Sequence, residues 1–294
     1  MPTFDTPAPI SATVDIILGD IRFIAGDRAD TVVEVHPVDP SRKLDVEAAE
    51  QVDIKFADGK LLVRHSKLRT AFTTKYGSVK VLVELPTGSD VRGDTADGEY
   101  VVQGLVGSCR LKNAIGDIRV GQAADVRLKT TGGRVIVDHV TGQADVSANG
   151  DIRIRRIGGG AVVKNIGGDS WVGEVAGDLR ANSATGDIAV DVARAAVNAR
   201  TSVGDIRVGE LGSGPVDLYT AIGRVEVGVP QGTAVRLDAH TSTGRVRNHL
   251  AGPDAPGQSG PTVKVRARCN GGDIIVRRAG ADHDAKQREA RFSG

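Results

Sequence analysis

One five-residue string, Gly-Asp-Ile-Arg-Val, constrains this chain more than any other feature. It occurs at 116–120, returns at 150–154 with Ile in the last place, and returns intact at 204–208. Looser copies start at Gly133, Gly168, Gly186, Gly223, Gly244 and Gly272. Counted from Gly98, the glycine steps are 18, 17, 17, 18, 18, 18, 19, 21 and 28. A near-constant step of this length means one structural unit stacked on its neighbours, each burying a face that it cannot bury alone.

Each unit divides again. Second glycines follow nine residues on at Gly107, Gly142, Gly159 and Gly177, and a second apolar alternation comes after them, as in Val126-Arg127-Leu128 and Val216-Asp217-Leu218. A unit therefore reads turn, strand, turn, strand, with two strands of about five residues. Period-two alternation puts Ile118 and Val120 on one face and Asp117 and Arg119 on the other. A left-handed hexapeptide helix fails, because six-residue steps from Ile152 land on Gly158 and Lys164. The expectation is an all-β chain: a β-solenoid, like a parallel β-helix, with right-handed coils about 4.8 Å apart. An antiparallel two-sheet sandwich stays open, since a repeat does not say which strands pair.

Composition agrees. Aromatic residues are 3 % of the chain and Met occurs once, so the interior must be Val, Ile, Leu and Ala, while 38 glycines supply the turns. The turn residues singled out are Gly116, Asp117, Gly150, Asp151, Gly168, Asp169, Gly186, Asp187, Gly204, Asp205, Gly272 and Asp273. Glycine reaches positive φ without steric cost, and the aspartate after it can accept a turn amide. Stacking sets Asp117 against Arg134, a charge ladder on the wet face worth a few tenths of a kcal/mol per pair.

Residues 1–97 do not keep the beat, although Gly19-Asp20-Ile21-Arg22-Phe23 is an early copy of the motif. Strands are expected at 14–17, 31–35, 52–56, 60–64 and 78–85, with a short helix over 44–51 and a hairpin turn at Asp58-Gly59. The division is a β-rich N-terminal cap over 1–97, solenoid repeats over 98–278 with a loop insertion at 251–261, and a polar C-terminal tail over 279–294.

Net charge of +1 gives no field for nucleic acid. No apolar run approaches the roughly 18 residues that span a bilayer, and the polar, proline-rich start MPTFDTPAPI carries no secretory pattern. The expectation is a cytoplasmic protein without membrane insertion. Cys109 and Cys269 fall many coils apart, too far for a disulfide, so two free thiols are expected.

Motifs of enzyme sites are missing: there is no GxxxxGK[ST], GxSxG or HExxH, and six scattered histidines show no ligand spacing. No catalytic, cofactor-binding or metal residues are assigned. The aspartates at 151, 169, 187 and 205 fall at one coil position, as paired acids do in β-helical enzymes, but turn duty explains a regular row. Trp171, beside Val172 on an alternating strand, reads as packing before it reads as a sugar platform.

Val81-Leu82-Val83-Glu84-Leu85-Pro86, followed by Gly-Asp-Ile-Arg-Val units near every 18 residues, resembles the bacterial β-strand-repeat family labelled putative adhesins, a domain of unknown function. The likeness spans roughly residues 10–278. It implies a β-solenoid-like, non-enzymatic protein of bacterial envelopes or cytoplasm and carries no catalytic residues with it. The function expected is a structural scaffold or protein-interaction module, with self-association or a protein partner as its use and the basic strand residues Lys264, Arg266, Arg268, Arg277 and Arg278 as one docking surface. Two alternatives stand beside it: a module binding carbohydrate or envelope polymer, and a β-helical polysaccharide hydrolase or lyase.

Overall fold

The computed structural model describes residues 1–65, 76–250 and 262–280. Two compact units, Met1–Gly150 and Asp151–Gly294, divide the chain. The predicted loop insertion at 251–261 and all but two residues of the predicted tail lie outside the described residues.

The first unit begins with β1 (Thr3–Asp5), β2 (Ser11–Asp15), β3 (Gly19–Gly26) and β4 (Asp30–Pro37), then the helix α1 (Lys43–Glu50). A hairpin of β5 (Val52–Ala57) and β6 (Lys60–His65) follows, turning on Asp58 and Gly59, both at positive φ. Next come β7 (Val79–Pro86), β8 (Asp90–Asp97), β9 (Tyr100–Ile115), β10 (Ile118–Gly132), β11 (Val135–Val140) and β12 (Ala144–Ala148). The expected pairs of short strands run together here into the long strands β9 and β10. A register shift between Val120 and Gln122 marks where they bend, opposite Gly104 at φ +79°.

Pairing in this unit forms two rows. In one, β4, β7, β3, β9, β10 and β11 lie side by side; in the other, β5, β6, β2, β8, β9, β10 and β12 do. All of these pairings are parallel except β4 with β7 and β5 with β6. Antiparallel strands thus stand at the ends of both rows, and β1 pairs antiparallel on the outer side of β4. The early motif at Gly19 is a true coil, since Ile21 aligns with Tyr100 in β9. Asp45, 1 % exposed in α1, accepts the amides of Asp39 and Ser78 and ties the helix to the start of β7.

In the second unit the strands are β13 (Ile152–Ile157), β14 (Ala161–Asn165), β15 (Ser170–Val175), β16 (Leu179–Thr185) and β17 (Ile188–Ala193). They continue as β18 (Val197–Val203), β19 (Ile206–Leu211), β20 (Val216–Ile222), β21 (Val225–Val229), β22 (Ala234–Thr243), β23 (Val246–Asn248), β24 (Thr262–Gly271) and β25 (Ile274–Arg278). Every pairing among them is parallel: β13, β15, β17, β19 and β21 in one row, β14, β16, β18 and β20 in the other. Parallel pairing at one coil's spacing is the solenoid, and the antiparallel sandwich is set aside.

Register stacks like on like. Ile188 aligns with Ile206, Ile206 with Val225, and Val225 with Ile274, all buried. Each such side chain contributes about 1.5–3 kcal/mol by leaving water. The core is aliphatic throughout, with Phe23 and Tyr100 its only large aromatic members among the described residues.

Chain order and stacking order part company at the end of the second unit. Strands β24 and β25 insert between β20/β21 and β22/β23, so the coil begun at Gly272 lies inside the one begun at Gly244. Chain order alone would make the Gly272 coil the last. Side chains explain the exchange. Val263, Val265, Ala267 and Cys269 of β24 are all buried, and Val276 continues the row of Val227. The outer coil offers Asn248 at that same position, a polar group an end coil can hydrate and an interior coil cannot.

Candidate binding surface

Three hydrogen-bonded rows hold the coils in register and fix which side chains are left facing solvent. The first is the predicted turn row. In the first unit Asp117 Oδ1 accepts the Arg134 amide at 2.8 Å, and its Oδ2 takes the Arg134 guanidinium at 2.9 and 3.1 Å. Partial burial pushes the Asp117 carboxyl up, but the amide and guanidinium of Arg134 outweigh it and hold the group below the usual carboxylate value. Asp20 serves Glu99 in the same way.

In the second unit Asp151 accepts the Asp169 amide (3.1 Å), Asp169 that of Asp187 (2.9 Å), Asp187 that of Asp205 (2.7 Å) and Asp205 that of Arg224 (2.7 Å). Asp273 accepts the Arg245 amide at 2.9 Å, in keeping with the exchanged coil order. The glycines before these aspartates stack closely. A Cβ on Gly116 would lie 2.1 Å from the Gly98 carbonyl oxygen, and one on Gly204 2.2 Å from that of Gly186. Gly150, Gly168, Gly186 and Gly272 also stand at positive φ, the last placed on Gly223.

Two further rows escaped the sequence reading. Inside the turn, a short polar side chain donates to a glycine carbonyl in several coils, while Ser183 donates to the Thr185 carbonyl and Thr95 to those of Ile17 and Asp97. Asn113 reaches Gly98 and Gly116, Thr130 reaches Gly116, Thr201 reaches Gly186 and Thr220 reaches Gly204. Cys269 Sγ takes this place on Gly223, and Thr241 on Gly272. The signal was present: a Thr, Asn, Ser or Cys stands three residues before Gly98, Gly116, Gly133, Gly168, Gly186, Gly204, Gly223, Gly244 and Gly272. At the mid-coil turn, Asp90, Asp125 and Asp178 accept the amides of Ser108, Gln143 and Ala196.

What remains outward is a charged sheet with few apolar interruptions. Arg194 bridges Glu174 and Glu210 at 3.2 and 3.5 Å across neighbouring coils. Such exposed pairs are each worth under about 1 kcal/mol. Trp171 faces out, donates Nε1–H to Asp191 at 3.1 Å and lays its ring against Gly173. Val203 and Ile222, 45 % and 62 % exposed, align on adjacent strands and make an aliphatic corner beside the turn row.

The basic residues proposed for docking are mostly engaged. Arg268 and Arg266 face Asp238, Arg277 binds Glu226 at 2.7 Å, and Arg278 donates to the carbonyls of Pro230 and Thr233. Both thiols are free and buried, and burial pushes each above its ordinary value. Among the described residues no cluster of three or more His, Cys, Asp or Glu could hold a metal ion, and no helix is long and apolar enough to cross a membrane.

A family model described as Toastrack DUF4097 matches residues 15–277. No curated protein matches the chain. Among solved structures, the chain is similar to a putative adhesin from Bacteroides fragilis, with 13 % identity, coverage of 94 % of this chain and 96 % of that one, and a TM-score of 0.36. A putative adhesin from Parabacteroides distasonis gives 15 % identity, 93 % and 95 % coverage, and a TM-score of 0.38. A putative lipid binding protein from the same species gives 12 %, 94 % and 96 %, and 0.35.

Proposed function

We propose that this chain, which belongs to the Toastrack DUF4097 family, is a non-enzymatic scaffold that offers its repeated outer faces to a protein partner. One observation carries the reading: the regular carboxylates are committed to architecture. Asp151, Asp169, Asp187 and Asp205 each spend an oxygen on the amide of the next coil. Stacking thereby accounts for the regular row without a pair of acids set apart for general-acid and nucleophile duty. The surface then has shape and charge to offer, in rows repeating at coil spacing. Two free, buried thiols fit a reducing compartment, and cytoplasmic location is part of the proposal.

The test is capture of partners by the immobilised chain, repeated with Arg194→Glu and Ile222→Asp, which alter the outer face and the aliphatic corner without touching the bonded rows. Loss of a protein partner in either variant, with the melting temperature unchanged, supports the scaffold. Turnover of a polysaccharide that disappears in the double variant Asp169→Asn and Asp187→Asn would replace it with an enzyme.

A second reading, binding of envelope polysaccharide, is favoured by Trp171, an aromatic ring held facing outward beside Asp191. It predicts retention on cell-wall polysaccharide that Trp171→Ala abolishes. The scaffold reading predicts no such retention.

A further inference from the structure

The second unit ends in an open strand edge. Among the described residues β22 pairs only with β24, and β23 only with β25. The side chains that would be core in any other coil, Val235, Leu237 and Ala239, are only partly buried here, and Val246 is 44 % exposed. Ten residues of β22 thus present one line of backbone donors and acceptors next to a half-covered apolar face, the arrangement that recruits another strand.

Which groups face outward is fixed by the existing pairing. The Gly272 amide donates to the Thr243 carbonyl, so Thr243 turns its backbone toward β24. By two-residue alternation Thr241, Ala239, Leu237 and Val235 do the same, and His240, Asp238, Arg236 and Ala234 turn theirs to the open edge. The outward side chains alternate in charge along this stretch, Arg236 then Asp238. Asp238 is 62 % exposed, even with Arg268 at 2.9 Å. Arg236 makes no ion pair with another described residue.

We infer that a second copy of this chain pairs with β22 antiparallel about a two-fold axis at Leu237, so that Arg236 of each copy lies opposite Asp238 of the other. In this register Arg236 and Asp238, and Ala234 and His240, form the hydrogen-bonded pairs, using the backbone groups that point outward. Leu237 meets its own copy, and Val235 meets Ala239, extending the apolar face across the junction. Moving the axis to Asp238 would set two carboxylates face to face, which opposes pairing. A two-fold axis makes the contact isologous, each copy using the same β22 edge, so the pairing closes as a dimer at this edge. The inference deepens the scaffold reading by naming a partner, and an outer-face partner would survive its failure.

Sedimentation velocity over a wide concentration range is the first measurement, on the full chain. Twice 30.6 kDa at high concentration is expected. Arg236→Asp and Asp238→Arg should each weaken the dimer at least about tenfold, since each sets like charges opposite twice. Mixed together, the two variants should restore it, because only the mixed pair has opposite charges at both positions. As a variant independent of charge, Leu237→Cys should cross-link two chains on mild oxidation: Cα atoms of such a pair lie about 4.5 Å apart, within disulfide reach.

A monomer at every concentration overturns the proposal. So does a dimer that ignores both charge reversals, or a Leu237→Cys chain that stays uncross-linked while dimeric. A monomer whose Arg236, Asp238 and His240 amides resist hydrogen exchange would assign the edge to this chain's own segments, which also overturns it.

Discussion

Thr220 Oγ1 lies 2.8 Å from the carbonyl oxygen of Gly204, sixteen residues earlier and one coil away. The Gly204 carbonyl faces the Cα of Gly223 in the next coil, where a Cβ would lie 2.0 Å from its oxygen, on a partly buried turn. A hydroxyl supplied three residues before the next glycine satisfies it. Thr220→Val keeps the volume and removes the donor, and chemical denaturation should show a loss of about 1–2 kcal/mol. Cys269 fills this place with a thiol, so Cys269→Ser should fold at least as stably as the parent chain.

The turn glycines are expected to tolerate no side chain. Gly204 sits at φ +141°, and a Cβ there would lie 2.2 Å from the Gly186 carbonyl oxygen. Gly204→Ala combines backbone strain with a clash against backbone that cannot swing aside. A loss of about 3 kcal/mol or more is expected in denaturant melts. Gly59→Ala is the control: no atom lies within 4 Å of the Cβ position, and at φ +69° strain alone should leave a smaller loss.

Asp169 separates two roles of the acidic row. Its Oδ1 accepts the Asp187 amide at 2.9 Å, and its own amide is held by Asp151. Asp169→Asn keeps an acceptor and removes a charge flanked by like charges, so stability should hold or rise slightly. Asp169→Ala should cost about 1.5–3 kcal/mol, the worth of a hydrogen bond to a charged group. Equal losses in the two variants would show that the charge itself matters.

Acid should loosen the first unit through His65. Burial pushes this imidazole below its ordinary 6.5, against the Ala48 carbonyl and the Asp15 carboxylate, which pull it up. Its Nδ1 accepts the Ile17 amide at 3.2 Å, which a protonated ring cannot do. Between the folded value and 6.5 the unfolded chain binds the proton and the folded chain does not. Stability contributed by neutral His65 is therefore present above about pH 6.5 and falls as the pH drops below it. Stability curves from about pH 7 to 5 should slope less steeply in His65→Gln.

The repeat made the coil, its two strands and its glycine turns legible, because period-two alternation and a fixed step are one-dimensional signals. The short helix and the Asp58-Gly59 hairpin were legible for the same local reason. The coil order at Gly244 and Gly272 was not, since pairing depends on which of two similar apolar faces buries better, and both carry the same motif. The inner row ending at Thr241 was overlooked because threonine three residues before a glycine reads as ordinary strand composition until the carbonyl it serves is seen. Trp171 sits beside Val172 in sequence, yet alternation turns it outward, where it meets Asp191 from a later coil.

The coil order is tested most directly by residue-resolved hydrogen exchange at concentrations low enough to keep the chain monomeric. Amides of Val265, Ala267 and Cys269 in β24 should be as slow as those of Val216, Leu218 and Thr220 in β20, and the edge-facing amides of Arg236, Asp238 and His240 in β22 should be fast. Fast exchange in β24 with slow exchange in β22 would place the Gly272 coil on the outside and contradict both the stacking order and the edge it leaves open.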